Sequence, residues 1–194
     1  LRTREIIEIC RKVWRREVVV HDGEAYQLPL PEGQGTGLGK PLKLINHPLR
    51  DNIPVYIASL GPKNVQLTAE VADGWLPAFF HPDKATMVWG DDLALGAKNR
   101  DPSLGPLEVV AGGTLSICDE DTAQKLRDGA RGGTALYVRG MCSRGKNFYN
   151  KVSLHYVYDE EAEAIQDYYL DGKTMEAVAW VPHREWMDTN VAGR

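Results

Sequence analysis

The chain has no excess of basic charge. Lys and Arg total 23 against 27 Asp and Glu, a formal net charge of −4. Binding to nucleic acid or to an anionic membrane calls for a basic face, so neither partner class is expected. Cysteine is scarce as well. Cys10, Cys118 and Cys142 are odd in number and far apart, which offers no disulfide framework and no CxxC metal pair and suits a reducing, cytoplasmic setting. No apolar run approaches the roughly 18 to 20 residues of a membrane span. Leu1 is followed by Arg2 and Arg4 instead of the apolar centre of a signal peptide. What remains is ordinary globular composition, with 43% hydrophobic and 26% charged residues. That excludes a wholly disordered chain and allows one domain. The first residue is not Met, so a piece of a longer protein is expected.

Ile6, Ile7, Ile9, Cys10, Val13 and Trp14 recur at helical spacing and predict a helix over 3–16. Short β-type pieces follow over 17–29, around the turn signal Asp22-Gly23. Residues 31–41, with glycine at every second position from Gly33 to Gly39, predict a loop. From residue 52 the pattern alternates. An apolar run at 53–58 predicts a buried strand. Pro62 then opens a helix, where a missing N–H costs nothing, with Val65, Ala69 and Ala72 on one face. Asp73-Gly74 ends it, and further strands are expected at 75–80 and 107–118, with helices at 83–98 and from Asp119 to about Val138. Strands alternating with helices imply parallel βαβ units, neighbours in chain order, and an α/β class. Residues 159–188 predict a helical tail with no strand after it. The expected organisation is one domain: a helix with loops over 1–51, a βαβαβα core over 52–138 and a helical part over 139–194.

Two glycine motifs fail on inspection. Gly39-Lys40 is preceded five residues earlier by Gln34 and followed by Pro41, so the P-loop glycine and hydroxyl are both missing. A GxGxxG pattern starting at Gly33 ends on Leu38, and one starting at Gly35 ends on Lys40. The turn Ala58 to Asn64 is different, because it joins a strand's C-terminal end to a helix N-terminus. Free N–H groups and the positive helix end can hold a phosphate there. Ser59 adds a hydroxyl, Gly61 permits close approach and Lys63 adds charge. Small residues also suit a plain βα turn, so both readings stand. Of the five histidines only His81 directly follows a predicted strand end, the active-site edge of a parallel α/β protein. It is either a proton-transfer group or a solvated loop residue. Trp75, Phe79 and Phe80 read as a pocket wall or as core. Arg139, Arg144 and Lys146 read as an anion site or a solvated loop. No metal-ligand spacing occurs.

The stretch from Ile53 to Pro77 resembles the bacterial-luciferase-like monooxygenase family, in particular its coenzyme F420 (deazaflavin) branch. Asp22 to Pro29, Gly39 to Lys43, Leu136 to Met141 and Asn147 to Asn150 support this, and the resemblance covers nearly the whole chain. It implies a segment of a TIM-type (β/α)8 barrel, about strands five to seven plus the insertion region, without the first four strands or the eighth. It implies an oxidoreductase or monooxygenase that transfers a hydride between coenzyme F420, or alternatively FMN, and a small organic substrate. It also implies a homodimer in the full-length protein. The cofactor's phosphate end maps onto Ser59, Gly61, Pro62, Lys63 and Asn64, and His81 is the one candidate catalytic residue. A non-catalytic remnant that keeps only the phosphate turn, or a phosphate-ligand enzyme of another barrel type, are the alternatives. Three strands cannot close a barrel. Apolar residues such as Val55, Ile57, Leu76, Phe80, Val109 and Leu115 are therefore expected to lack half of their packing partners, leaving the chain alone marginal and without turnover.

Overall fold

The computed structural model describes residues 2–113, 116–140, 147–156, 158–182 and 192–193. The expectations for Leu115, Cys142, Arg144, Lys146 and the last part of the tail lie outside them.

Helix α1 (Arg2–Trp14) forms as its periodicity predicts. It stops short of residue 16, because Arg16 takes a left-handed φ of 54°. Strands β1 (His21–Asp22) and β2 (Gln27–Leu28) pair antiparallel around the Asp22-Gly23 turn. The buried Glu5 carboxylate reaches across from α1. It accepts the N–H groups of Ala25 and Tyr26, the latter at 2.9 Å, and pairs with the His21 ring at 3.3 Å. The loop at 31–41 carries Gly33, Gly35 and Gly37 at φ of 84°, 60° and 73°, conformations that strain any residue with a Cβ.

The central sheet has β3 (Tyr56–Ile57), β4 (Gly74–Trp75) and β5 (Glu108–Val109), all parallel and adjacent in chain order. That is the predicted order, with shorter ladders. The run expected as one strand over 107–118 is divided. Glu108–Val109 joins this sheet, while β6 (Ser116–Ile117) pairs parallel with β7 (Ala192–Gly193). The adjacent Gly112 and Gly113 supply no side chains to hold one continuous strand. The expectation of no strand after the tail is thereby corrected.

Helix α2 (Pro62–Val71) carries Pro in its first turn, and α3 (Ala85–Ala97) lies close against it. A Cβ on Gly96 would strike the Gln66 carbonyl oxygen, so only glycine admits this approach. Arg4 grips Glu70 with two hydrogen bonds, and Arg11 reaches Asp73 at 3.1 Å, tying α1 to α2 and to the turn that follows it. Arg100 donates to the carbonyls of Ala69 (2.9 Å) and Ala72 (2.6 Å), which α2 leaves unsatisfied at its C-terminus. Helix α4 (Glu120–Gly140) continues through Gly132-Gly133 and past Val138. Helices α5 (Phe148–His155), α6 (Asp159–Leu170) and α7 (Thr174–Ala179) follow. Gly172, at φ 79°, breaks the tail between the last two.

The core lies on one side of the sheet, where Trp75, Trp89, Val65, Val138, Tyr156 and Ile165 are fully buried. On the other, open side Tyr56 and Leu76 are exposed; Ile57 and Val109, expected there, stand level with Trp75 in the ladder and share its side. Phe80 was expected on that open side. Its ring instead stacks on Trp89 and meets Trp75 edge-on, on the helix side. The Tyr56 hydroxyl crosses above Gly74 to hydrogen-bond Glu108, and a Cβ on Gly74 would strike the Tyr56 ring. Among the described residues no helix is long and apolar enough to cross a membrane.

Two predictions follow from these contacts. Arg100→Ala leaves two helix-end carbonyls without their charged donor, so the urea midpoint should fall by the equivalent of about 1.5 to 3 kcal/mol with an unchanged m value. At Glu5, burial alone would raise the carboxyl pKa, but the N–H groups of Ala25 and Tyr26 and the His21 ring hold it below its ordinary 4.5. A carboxyl depressed by folding contributes stability above its unfolded pKa and loses it as pH falls through the folded value. Amide protection at Ala25 and Tyr26 should therefore drop below about pH 4.5. Glu5→Gln should show low protection that no longer changes in that window.

Candidate functional site

The turn between β3 and α2 is fixed through its carbonyls. The Trp75 indole N–H donates to the Ser59 oxygen at 2.9 Å, and the Trp89 indole N–H to the Leu60 oxygen at 3.1 Å. The two rings meet edge to face, 5.2 Å between centroids. With these oxygens turned toward the core, the chain enters α2 through Gly61, which takes the N-cap position with extended backbone and no side-chain cap. Asn64 and Val65 both donate to the Gly61 oxygen at 3.0 Å, and Pro62 has no N–H. Gly61 and Lys63 are left with N–H groups that meet no acceptor among the described residues. The Lys63 side chain is exposed.

Ser59 does not offer its hydroxyl proton outward. Thr68 Oγ1 donates to the Asn64 oxygen at 2.7 Å and lies 2.8 Å from Ser59 Oγ. Thr68 has one hydroxyl proton, so Ser59 must be the donor of the pair. The hydroxyl expected to help hold a phosphate therefore braces the first turns of α2, and its residue is buried.

Beside the turn is a cleft of about 290 Å³, lined by Ser59, Gly61, Asn64, Leu76, Phe148 and Tyr149 among others. It opens at the C-terminal ends of β3 and β4, where ligands bind in parallel α/β folds. The structure thus brings Ser59, Gly61 and Asn64 to one cleft. Pro62 lines a neighbouring cleft of about 260 Å³ with Trp89, Phe148 and Lys151, and Lys63 lies on the exposed first turn of α2.

His81 lies outside both linings. Its Nδ1 accepts the Asp83 N–H at 3.2 Å and its carbonyl accepts from Lys84 and Ala85, so it shapes the approach to α3. Tyr156 holds the same segment. Its hydroxyl donates to the Phe79 oxygen at 2.8 Å and accepts the His81 N–H at 3.2 Å. Burial pushes this phenol up to about 12, so it stays protonated as a donor. Phe79 lies four residues beyond β4 and takes a left-handed φ of 54°, uncommon for a bulky residue. Its ring meets Tyr137 and Tyr149 edge-on.

Phe148, Tyr149 and the two indole donors escaped the sequence reading. Asn147, just ahead of Phe148, could have been read as a helix cap, and its Oδ1 does accept the Tyr149 N–H at 2.9 Å. Which surface that helix would reach had no local signal. Among the described residues, no cluster of His, Cys, Asp or Glu is placed to hold a metal ion.

Tyr156→Phe should leave the Phe79 carbonyl without its donor. We expect a loss of about 1 to 3 kcal/mol in urea unfolding and faster amide exchange over 79–84, with exchange in α6 changed only by the global loss.

The model of the luciferase-like monooxygenase family matches residues 1–194. A Mycobacterium tuberculosis protein named as a coenzyme F420-dependent oxidoreductase is 38% identical over 99% of this chain and 55% of its own length. The 5,10-methylenetetrahydromethanopterin reductase of Archaeoglobus fulgidus is 34% identical over 72% of this chain and 37% of its own. The chain spans about half the length, or less, of these curated relatives. The solved coenzyme F420-dependent tetrahydromethanopterin reductase of Methanopyrus kandleri superposes with a TM-score of 0.62 at 23% identity. That match covers 95% of this chain and 48% of the reductase, a likeness of fold.

Proposed function

Because the chain belongs to the luciferase-like monooxygenase family, we propose that it is part of a β/α-barrel oxidoreductase that uses coenzyme F420, with FMN as the alternative, on a small organic substrate. One relative and one fold neighbour named for coenzyme F420 support this choice of cofactor. The observation that carries the reading is the β3–α2 turn, with its carbonyls tied inward and the N–H groups of Gly61 and Lys63 left without an acceptor among the described residues. Its donor set fits a phosphate: two backbone N–H groups, a helix N-terminus and an exposed ammonium.

In this reading Gly61 and Lys63 hold the phosphate end of the cofactor, Pro62 fixes the turn, and Ser59 and Asn64 form the cleft wall. When bound, the cofactor supplies the hydride chemistry. The chain's residues anchor and orient it and keep water from one flank. His81 is the candidate proton-transfer group. Its Nδ1 accepts the Asp83 N–H, which puts the neutral ring's proton on Nε2, so the ring takes up a second proton only at Nδ1, once that contact is given up.

The test is titration of the protein with coenzyme F420 and, separately, FMN. One charge-assisted contact is worth about 1.5 to 3 kcal/mol, so Lys63→Ala should raise Kd about tenfold or more. An unchanged Kd would remove Lys63 from the site. A Gly61→Val variant is a poorer probe, since its Cβ would also press on the Phe148 ring, 3.0 Å away.

A further inference from the structure

Phe148 is placed with more care than a surface phenylalanine requires. It is the first residue of α5, directly after Asn147, which is 2% exposed. The Asn147 Nδ2 donates to the carbonyls of Tyr137 and Val138, both at 2.9 Å, and its Oδ1 accepts from Tyr149 and Asn150. One buried amide therefore fastens the start of α5 to the end of α4 and sets where residue 148 stands. Yet the Phe148 ring is 51% exposed. It lines both clefts that flank the start of α2, and its Cε1 and Cζ lie 3.0 and 3.2 Å from where a Cβ on Gly61 would be.

An aromatic edge carries partial positive charge. Here the Cε1–Cζ side of the ring comes nearest to Gly61, in the turn whose Gly61 and Lys63 N–H groups meet no acceptor among the described residues. An anion at those donors would be covered on one side by a fixed apolar plate, and lower local polarity strengthens its hydrogen bonds. The absence of a side chain at Gly61 is what lets the ring come so near.

Resting on the phosphate-turn reading above, we propose that Phe148 is a positioning residue. It closes over the anionic group held at the β3–α2 turn and makes the site favour phosphorylated ligands over their unphosphorylated counterparts. The ring contributes by shielding and edge contact, not by any bond to the reacting atoms.

The test compares wild type, Phe148→Ala, Phe148→Tyr and Lys63→Ala by titration with coenzyme F420, FMN and riboflavin, with thermal melts as a check on folding. Riboflavin has the ring and ribityl chain of FMN without the phosphate. Phe148→Ala should weaken coenzyme F420 and FMN by roughly five- to tenfold, the size of one aromatic contact. Riboflavin affinity and the melt should stay the same. Phe148→Tyr should bind within about twofold of wild type, since it keeps the ring edge. Equal loss for FMN and riboflavin would overturn the proposal, because the ring would then be bedding the flavin. Tighter binding in Phe148→Ala would overturn it too, the ring then being an obstruction. Unchanged binding in Phe148→Ala alongside weakened binding in Lys63→Ala rejects the role of Phe148 and leaves the turn reading intact. Unchanged binding in both variants, or no binding to wild type, removes the turn reading and this proposal together.

Discussion

Two indole N–H groups on two consecutive carbonyls set the geometry of everything near the site. Trp75 comes from β4 and Trp89 from α3, and they reach Ser59 and Leu60 at 2.9 and 3.1 Å. A buried carbonyl without a donor costs about 1 to 3 kcal/mol, so the turn cannot rotate without losing both bonds. The rings also form the centre of the core, edge to face with each other and with Phe80 against them. The packing that stabilises the sheet's helix side and the bonds that aim the turn are therefore made by the same two side chains. Neither could be altered without changing the other.

Burial is distributed unevenly across the sheet. On the helix side Val65, Trp75, Trp89 and Tyr156 are shut away from water. On the other, Tyr56, Leu76 and Val110 are each more than a third exposed. An ordinary two-layer α/β domain with helices on one face would carry polar side chains on the other. Here that face is largely apolar, as the interior of a barrel would be. The one polar pair on it, Tyr56 and Glu108, bridges across Gly74, and the carboxylate beside the phenol holds the Tyr56 pKa above its ordinary value. The likeness to half of a longer solved reductase agrees with that asymmetry.

Much of this was legible in the residues because the signals were local. Pro62 after Gly61, the Val65-Ala69-Ala72 stripe and the Asp73-Gly74 stop all lie in or next to one helix, and they place α2 and its turn correctly. Strand order followed from alternation alone. Strand length did not, since ladders depend on partners: Ile53 and Pro54 look like strand residues, but the β3 ladder holds only Tyr56 and Ile57. Ser59 shows the same limit at the site. Its type and place suggest a ligand contact, and only the spatial closeness of Thr68 reveals that its proton goes inward. Arg100 on the end of α2 and Phe148 on the start of it act across long stretches of chain, which no periodicity records.

These contacts also separate two tasks that the family's chemistry joins. Every group that fixes the turn, namely Trp75, Trp89, Thr68 and Pro62, belongs to this chain and is already engaged. In the reading proposed above, the backbone donors for an anion would thus be preorganised. A flat ring extending from that anion along the strand ends would pass Leu76 and Ala78 toward the open apolar face, where these residues give it one wall. Holding a phosphate asks for a few fixed dipoles, which a single βα turn can provide. Holding a reactive ring in productive register asks for contact on both of its faces, because catalytic geometry tolerates errors well under 1 Å. In the proposed reading the first requirement falls to one βαβ unit, and the second to structure that faces the open side of that sheet.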